Sequence, residues 1–489
     1  MILNKLLSGI ITESIYGDDT IAVENIACDS RKVTPDTLFV AVPGPCVDGH
    51  DYIPAAIRAG AVAIVCERMP ENRPTGVTWI CVPDAALALG VLASEWYGNP
   101  SSRLTLVGVT GTNGKTTIAT LLYETAMLNG RKAGLISTVE NRVGDKIYPS
   151  HNTTPSPLET NALLAEMVNA GCTFAAMEVS SHGQVQKRTA GLRFAGGIFT
   201  NITRDHLDYH KTFAAYIAAK KSFFDNLPST AWALTNADDP HGSVMLQNTR
   251  ARRADYSLRT GASFRTKVLE SRMDGTLIEI DGRQIQTRFA GLFNAYNLTA
   301  VYGACVLMGM DAEKAAVTLS ALKPVCGRFE ATVSADGVIA VVDYAHTPDA
   351  LENVLETIRA SKGVQGRITT VFGAGGNRDK GKRPQMGAVA ARLSDRVIIT
   401  SDNPRDEDPY DIADDVKAGI PVDSDTQTDI IAERAAAIHV AITEAAPGDV
   451  VLVAGKGHEN YQVFEGGRTV HFDDHEQVRN AFAQRLETN

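Results

Sequence analysis

The chain has 489 residues, 44% hydrophobic and 21% charged, which is ordinary globular material with room for about three domains at roughly 150 residues each. Its formal net charge of −10 argues against a general polyanion-binding surface, so nucleic acid is not expected as a partner, although a local basic pocket for phosphates is compatible with it. The seven cysteines are odd in number and form no C-x-x-C pair, which points to buried thiols in a reducing compartment rather than to metal binding by sulfur. Nowhere do 18 apolar residues run together, so a cytoplasmic chain without membrane insertion is expected.

Residues 1–98 carry short strand-like runs at 38–42 and 61–66 with an alanine-rich helical segment between them, the pattern of a small α/β domain. The segment Y-G-N-P-S-S (97–102) has linker composition. A second unit is expected over 99–322: a β-rich run at 104–109 enters a glycine loop, and a helical pattern starts at Thr116. Further β-like runs at 173–179, 197–201 and 232–236 alternate with helical stretches, predicting a doubly wound sheet. Apolar runs at 268–269 and 277–280 suggest a local β insertion. A third unit, 323–489, has strands at 338–343, 367–372, 396–400 and 449–454, with helices from Pro348, Gln385 and Asp474, and resembles a dinucleotide fold. Gly466-Gly467 is a hairpin signal.

In T-G-T-N-G-K-T-T (110–117) the glycines let backbone N–H groups close around phosphate oxygens, Lys115 meets the β/γ charge, and the Thr116 hydroxyl can ligate Mg²⁺. The usual G-x-x-x-x-G-K-[ST] spacing would place a glycine at 109, where this chain has Val109. In A-M-E-V-S-S-H-G (176–183), Glu178 ends an apolar strand. A carboxylate there is unfavourable unless it is paired or holds a cation. His206, in T-N-I-T-R-D-H-L-D-Y-H (200–210), can complete a cation site, although a lone histidine is more often structural. Composition alone places Lys220, in A-A-K-K, on a solvated helix surface.

Together and in this order, G-T-N-G-K-T-T, E-V-S-S-H-G, T-R-D-H-L-D-Y-H, C-G-R-F-E, V-D-Y-A-H-T-P-D-A-L and A-G-K-G-H-E resemble the Mur ligases of peptidoglycan precursor synthesis, from about residue 29 to 476. Within that family the chain resembles the member that adds the third stem-peptide residue to UDP-N-acetylmuramoyl-L-alanyl-D-glutamate. The short loop is the variant that Mur ligases share with folylpolyglutamate synthetases. The resemblance implies an α/β protein of three domains: a small N-terminal UDP-substrate-binding domain (1–98), a central P-loop-type ATPase domain with a mostly parallel sheet (99–322), and a C-terminal Rossmann-like amino-acid-binding domain (323–489). It implies ATP and Mg²⁺ as cofactors and an acyl-phosphate mechanism in a monomer.

Residue by residue, the resemblance assigns ATP to Gly111, Thr112, Asn113, Gly114, Lys115, Thr116 and Thr117, with Asn294, Asn297, Arg328, Asp343, Tyr344 and His346 around the nucleotide. One cation would sit near Thr116 and Glu178, and a second near His206 and a carbamylated lysine that matches Lys220, with Lys221 as the neighbouring alternative. Ser30 and Arg31 resemble the motif that holds the uridine end. Asn152, Thr153, Thr154, Ser180, Gln186 and Arg188 resemble contacts to the muramoyl dipeptide.

The segment S-D-N-P-R-D-E-D-P (401–409) is a turn after a strand on generic grounds. In the family, D-N-P-R resembles the form found in ligases adding meso-2,6-diaminopimelate, and the planar fork of Arg405 can grip that molecule's extra carboxylate, which L-lysine lacks. Arg378, Asp402, Asn403, Gly455 and Glu459 match the remaining contacts, with Asp402 and Glu459 suited to the distal ammonium. Asn377 departs from the aspartate often found before this arginine. Three alternatives stay open: the same ligase adding L-lysine, a folylpolyglutamate-synthetase-type ligase, and an NTP-driven switch or motor.

Overall fold

Three sheets organise the chain, whose computed structural model describes residues 1–44, 47–361 and 366–488. Cys46 lies outside the described residues. The first sheet has five strands: Asn25–Ala27, Thr37–Val40, Ala61–Cys66 and Thr78–Cys81 run parallel, and Ser14–Tyr16 closes one edge antiparallel. The second sheet has eleven strands around a parallel centre in the spatial order Trp232–Asn236, Gly196–Phe199, Thr105–Thr110, Phe174–Glu178, Ala133–Ile136. The expected β insertion is an antiparallel meander of Phe264–Arg272, Gly275–Ile280 and Arg283–Thr287. The third sheet has six strands, five parallel and Glu330–Val333 antiparallel at the edge. A small hairpin, Tyr461–Val463 with Thr469–His471, turns through Gly466-Gly467.

The central strands of parallel sheets are covered on both faces, so they read as unbroken apolar runs. Val450–Ala454 is buried throughout. Its Val450, Leu452 and Ala454 pack with Leu351, Leu355 and Ile358 of the helix Pro348–Ala360, while Val451 and Val453 pack on the other face with Ile438 and Ile442 of Arg434–Thr443. The helix expected from Gln385 begins at Lys382 instead, because Pro384 sits in its first turn, where no backbone N–H is needed. Among the described residues no helix is long and apolar enough to cross a membrane.

Candidate active site

The phosphate loop links the strand Thr105–Thr110 to the helix Lys115–Leu128. Val109 is the penultimate residue of that strand, so the missing glycine falls in the sheet and not in the loop. Gly108 serves packing, since a Cβ there would lie 2.5 Å from the Phe223 ring. Gly111 and Gly114 are the loop glycines, at φ +153° and +87°, and a Cβ on Gly114 would stand 2.6 Å from Asn297 Oδ1. Lys115 Nζ donates to the carbonyls of Gly111 at 3.0 Å and Thr112 at 2.9 Å. The loop opens on a cavity of about 480 Å³ whose walls come from the central and C-terminal sheets.

Glu178 ends the neighbouring strand in register with Val109 and is fully buried. Its Oε1 accepts the Thr138 N–H at 2.7 Å, whereas Oε2, also buried, has no hydrogen-bond partner. A buried carboxylate oxygen on the same cavity wall as the Thr116 hydroxyl fits a hard cation, which takes oxygen ligands. His206 also lines the cavity, in left-handed conformation at φ +54°. Burial pushes its pKa down to about 3 against the opposing charge of Asp205, which keeps the imidazole neutral as a metal ligand requires and makes it a weak proton acceptor.

Lys220 overturns the expectation drawn from composition. It is 1% exposed on the helix Phe213–Asp225, donates to the Gly111 carbonyl at 2.7 Å, and has its ammonium 4.6 Å from the Tyr216 ring centre. Burial, then the nearby Lys115 charge, drives its pKa well below the usual lysine range, favouring the neutral amine that CO₂ carbamylates. Lys221, the neighbouring alternative, is bound instead to Asp225 at 2.7 Å one helical turn away.

Arg328, Asp343, Tyr344 and His346 meet the loop from the C-terminal side of the cavity. Arg328 Nη2 donates to Thr116 Oγ1 at 3.0 Å, and its guanidinium lies 4.5 Å from the Tyr344 ring centre. Asp343 accepts the N–H groups of Phe329 and Ala345, both at 2.7 Å, and burial raises its pKa to about 6. Burial lowers the His346 pKa to about 4. Asn297 lines the cavity, while Asn294 stands behind it and accepts its amide at 3.2 Å. Sequence reasoning missed Asp349, which accepts the Asn113 amide at 2.8 Å across the two domains.

Around Glu178, Thr154 Oγ1 donates to the Glu178 carbonyl and accepts the Ser180 N–H, both at 2.9 Å. Thr153 lines the cavity, and Arg188 donates to Gln186 Oε1 at 2.9 Å and to the Thr154 carbonyl at 2.6 Å. Asn152 is exposed. Ser30 and Arg31 lie on the first domain, where the exposed Arg31 guanidinium pairs with Asp29 at 2.8 Å.

The residues assigned to the amino acid gather behind Tyr344, whose hydroxyl reaches Glu459 Oε1 at 3.4 Å. Arg405 and Arg378 flank Gly375: a Cβ there would lie 3.0 Å from Arg405 Nη1 and 3.5 Å from Arg378 Cγ. Burial and the Arg378 charge together lower the Arg405 pKa. Asp402 and Glu459, expected to receive a distal ammonium, share a cation of the chain itself. The fully buried Lys456 already binds Asp402 at 3.4 Å, Asn403 Oδ1 at 3.1 Å and Glu459 at 3.2 Å. Its signal was present in A-G-K-G-H-E, read only for Gly455 and Glu459. Gly455, at φ +117°, lies beside Asp402.

Sequence profiles of known families match along the chain: the Mur ligase family catalytic domain at residues 22–97, the Mur ligase middle domain at 109–305, and the Mur ligase glutamate ligase domain at 327–457. The chain belongs to the Mur ligase family. A relative from Parabacteroides distasonis, a UDP-N-acetylmuramoyl-L-alanyl-D-glutamate–2,6-diaminopimelate ligase, is 55% identical over 483 residues, 99% of each chain. A ligase of the same name from Gloeobacter violaceus is 43% identical over 492 residues, again 99% of each chain. A solved structure of a ligase of that name superimposes with a TM-score of 0.70 at 30% identity, covering 99% of each chain. The fold of this Mur ligase also matches a Thermotoga maritima MurF ligase solved with ADP, at TM-score 0.63 and 21% identity, covering 95% of this chain and 98% of that one.

Proposed function

We propose that this Mur ligase joins meso-2,6-diaminopimelate to UDP-N-acetylmuramoyl-L-alanyl-D-glutamate with ATP and Mg²⁺, as a cytoplasmic monomer in peptidoglycan precursor synthesis. The observation that carries the reading is one cavity bringing together the phosphate loop, the unpartnered Glu178 oxygen and Arg328, with the Arg378–Arg405 pair behind Tyr344. The relatives' names agree with it.

A carboxylate is a poor electrophile and must be activated. Its oxygen takes the γ-phosphoryl group of ATP, ADP leaves, and an acyl phosphate forms. The amine of the incoming amino acid attacks the acyl carbon; collapse of the tetrahedral intermediate breaks the C–O bond, releases phosphate and leaves the amide. Bound Mg²⁺ would neutralise the crowded phosphate oxygens, held by Thr116 and Glu178 and by His206 and carbamylated Lys220. The loop N–H groups and Lys115 hold the β/γ-phosphates, and Arg328, already on Thr116, adds a cation from the opposite domain. The amine loses its proton to solvent, and His206, placed on a cation, is not assigned as the base. Closing the cleft protects the acyl phosphate from water.

The test is phosphate release and product mass with ATP, Mg²⁺ and the UDP-muramoyl dipeptide, offering meso-diaminopimelate and L-lysine in parallel. The expected result is product with diaminopimelate. Preference for lysine would keep the ligase and overturn the specificity, and phosphate release indifferent to any amino acid would overturn the ligase.

A further inference from the structure

A second cluster of ligating side chains lies outside the cavity, at the junction of the central and C-terminal domains. We propose that Cys326, Glu330 and His475 form a binding site for a zinc-class divalent cation, separate from the oxygen-rich site at the phosphate loop. Their thiol sulfur, carboxylate oxygen and imidazole nitrogen all lie within 4.8 Å of one another. Tetrahedral zinc with bonds of about 2.0–2.3 Å needs ligand atoms roughly 3.5 Å apart, so a side-chain adjustment of about 1 Å closes the set, and the exposed Cys326 is free to make it.

The nitrogen and oxygen are already close. His475 Nε2 meets Glu330 Oε2 at 2.9 Å, from positions 145 residues apart. Each has a further polar neighbour. Glu330 Oε2 also accepts the Gly327 N–H at 3.2 Å, and His475 Nδ1 lies 3.5 Å from Asp473 Oδ1. A carboxylate behind the far nitrogen of a ligating histidine sets its tautomer and raises its basicity, as in many zinc sites. On binding, the cation replaces the proton shared by Nε2 and Oε2 and the thiol proton, both of which go to solvent. One sulfur with one nitrogen and one oxygen selects a borderline-soft ion over Mg²⁺.

The position gives the site a consequence. Val325 belongs to the central core and Phe329 to the C-terminal core, so Cys326 sits in the crossing segment, two residues before Arg328, which donates to Thr116. A bound cation would tie that segment to the C-terminal helix Asp474–Thr488.

The test is a titration of the full chain, in excess Mg²⁺ to occupy oxygen sites, with Co²⁺ and Cd²⁺ as probes, reading the sulfur-to-metal charge-transfer band. One equivalent with a thiolate band is expected. Cys326→Ser should abolish the band, and Asp473→Asn, which keeps a capping side chain, should weaken binding about 10–100-fold. No band in the wild type, or a band that persists in Cys326→Ser, would overturn the proposal. Circular dichroism of each variant separates loss of binding from loss of fold.

Discussion

Replacing Arg405 by alanine isolates the specificity argument, because the residue already holds a left-handed backbone at φ +54° and alanine inherits the same strain. Arg405 Nη1 is engaged by the Gly376 carbonyl at 2.8 Å, which leaves the Nε–Nη2 edge for a carboxylate. Two charge-assisted hydrogen bonds at the lower end of about 1.5–3 kcal/mol each amount to about 3 kcal/mol, roughly a hundredfold. Arg405→Ala is therefore expected to lower kcat/KM for meso-diaminopimelate by about 10²–10³-fold. L-Lysine has no group for that edge, and removing a cation beside Arg378 relieves repulsion, so its kcat/KM should hold or rise. The assay is ADP release with both amino acids at matched dipeptide and ATP. An equal loss for both would mean that Arg405 merely supports the loop, and an unchanged ratio would place the second carboxylate elsewhere.

If Lys220 is carbamylated as proposed, Lys220→Ala should reduce kcat by about 10²–10³-fold by removing that anion, and a short carboxylic acid added at high concentration should restore part of it; activity within threefold of wild type would remove Lys220 from the site. Asp343 has a pKa of about 6 against an ordinary 3.8, so the folded chain binds the extra proton between those values. The resulting stabilisation is present below about pH 4 and lost as pH rises through about 6, a swing on the order of 3 kcal/mol that Asp343→Asn should flatten in unfolding curves taken across that range. Arg434 and Asp474 are both fully buried and paired at 2.7 Å. Asp474→Asn should destabilise the C-terminal domain by about 3–5 kcal/mol, read as faster hydrogen exchange in the strand Val450–Ala454.

What was legible in the sequence was local. The phosphate loop could be read because strand, glycines, lysine and helix are contiguous, and four strands of the third sheet could be read because burial on both faces leaves continuous apolar runs such as V-V-L-V-A, whereas its more exposed outer strands Glu330–Val333 and Gln427–Ile430 carry no such run and were missed. Lys220 could not be read as buried from its helix, since nothing in A-A-K-K separates one lysine from the next; only the tertiary placement of Gly111 and Tyr216 does. Asp349 and Lys456 escaped for a related reason. Their partners Asn113, 236 residues away, and Asp402, 54 away, become neighbours only after the sheets assemble.

The backbone offers a separate argument for the same site. Nine non-glycine residues among those described adopt positive φ, a conformation costing an L-residue about 1–3 kcal/mol. His206 and Arg405 are themselves assigned to the site, and Lys187, Phe329 and Asn377 directly adjoin Arg188, Arg328 and Arg378. Five of the nine positions thus are, or directly adjoin, residues assigned to the site. Phe329 is the most telling, because a bulky aromatic gains nothing locally from this conformation; its N–H instead donates to Asp343 at 2.7 Å while the preceding Arg328 reaches Thr116. Asn377 carries the conformation well, since asparagine tolerates the left-handed region, and its Oδ1 accepts the Asp406 N–H at 3.2 Å, joining the Arg378 loop to the Arg405 loop. The asparagine at this position therefore links the two loops that carry Arg378 and Arg405. Local conformational rules fail here because tertiary contacts hold these turns open, which is where a chain selected for binding is expected to break them.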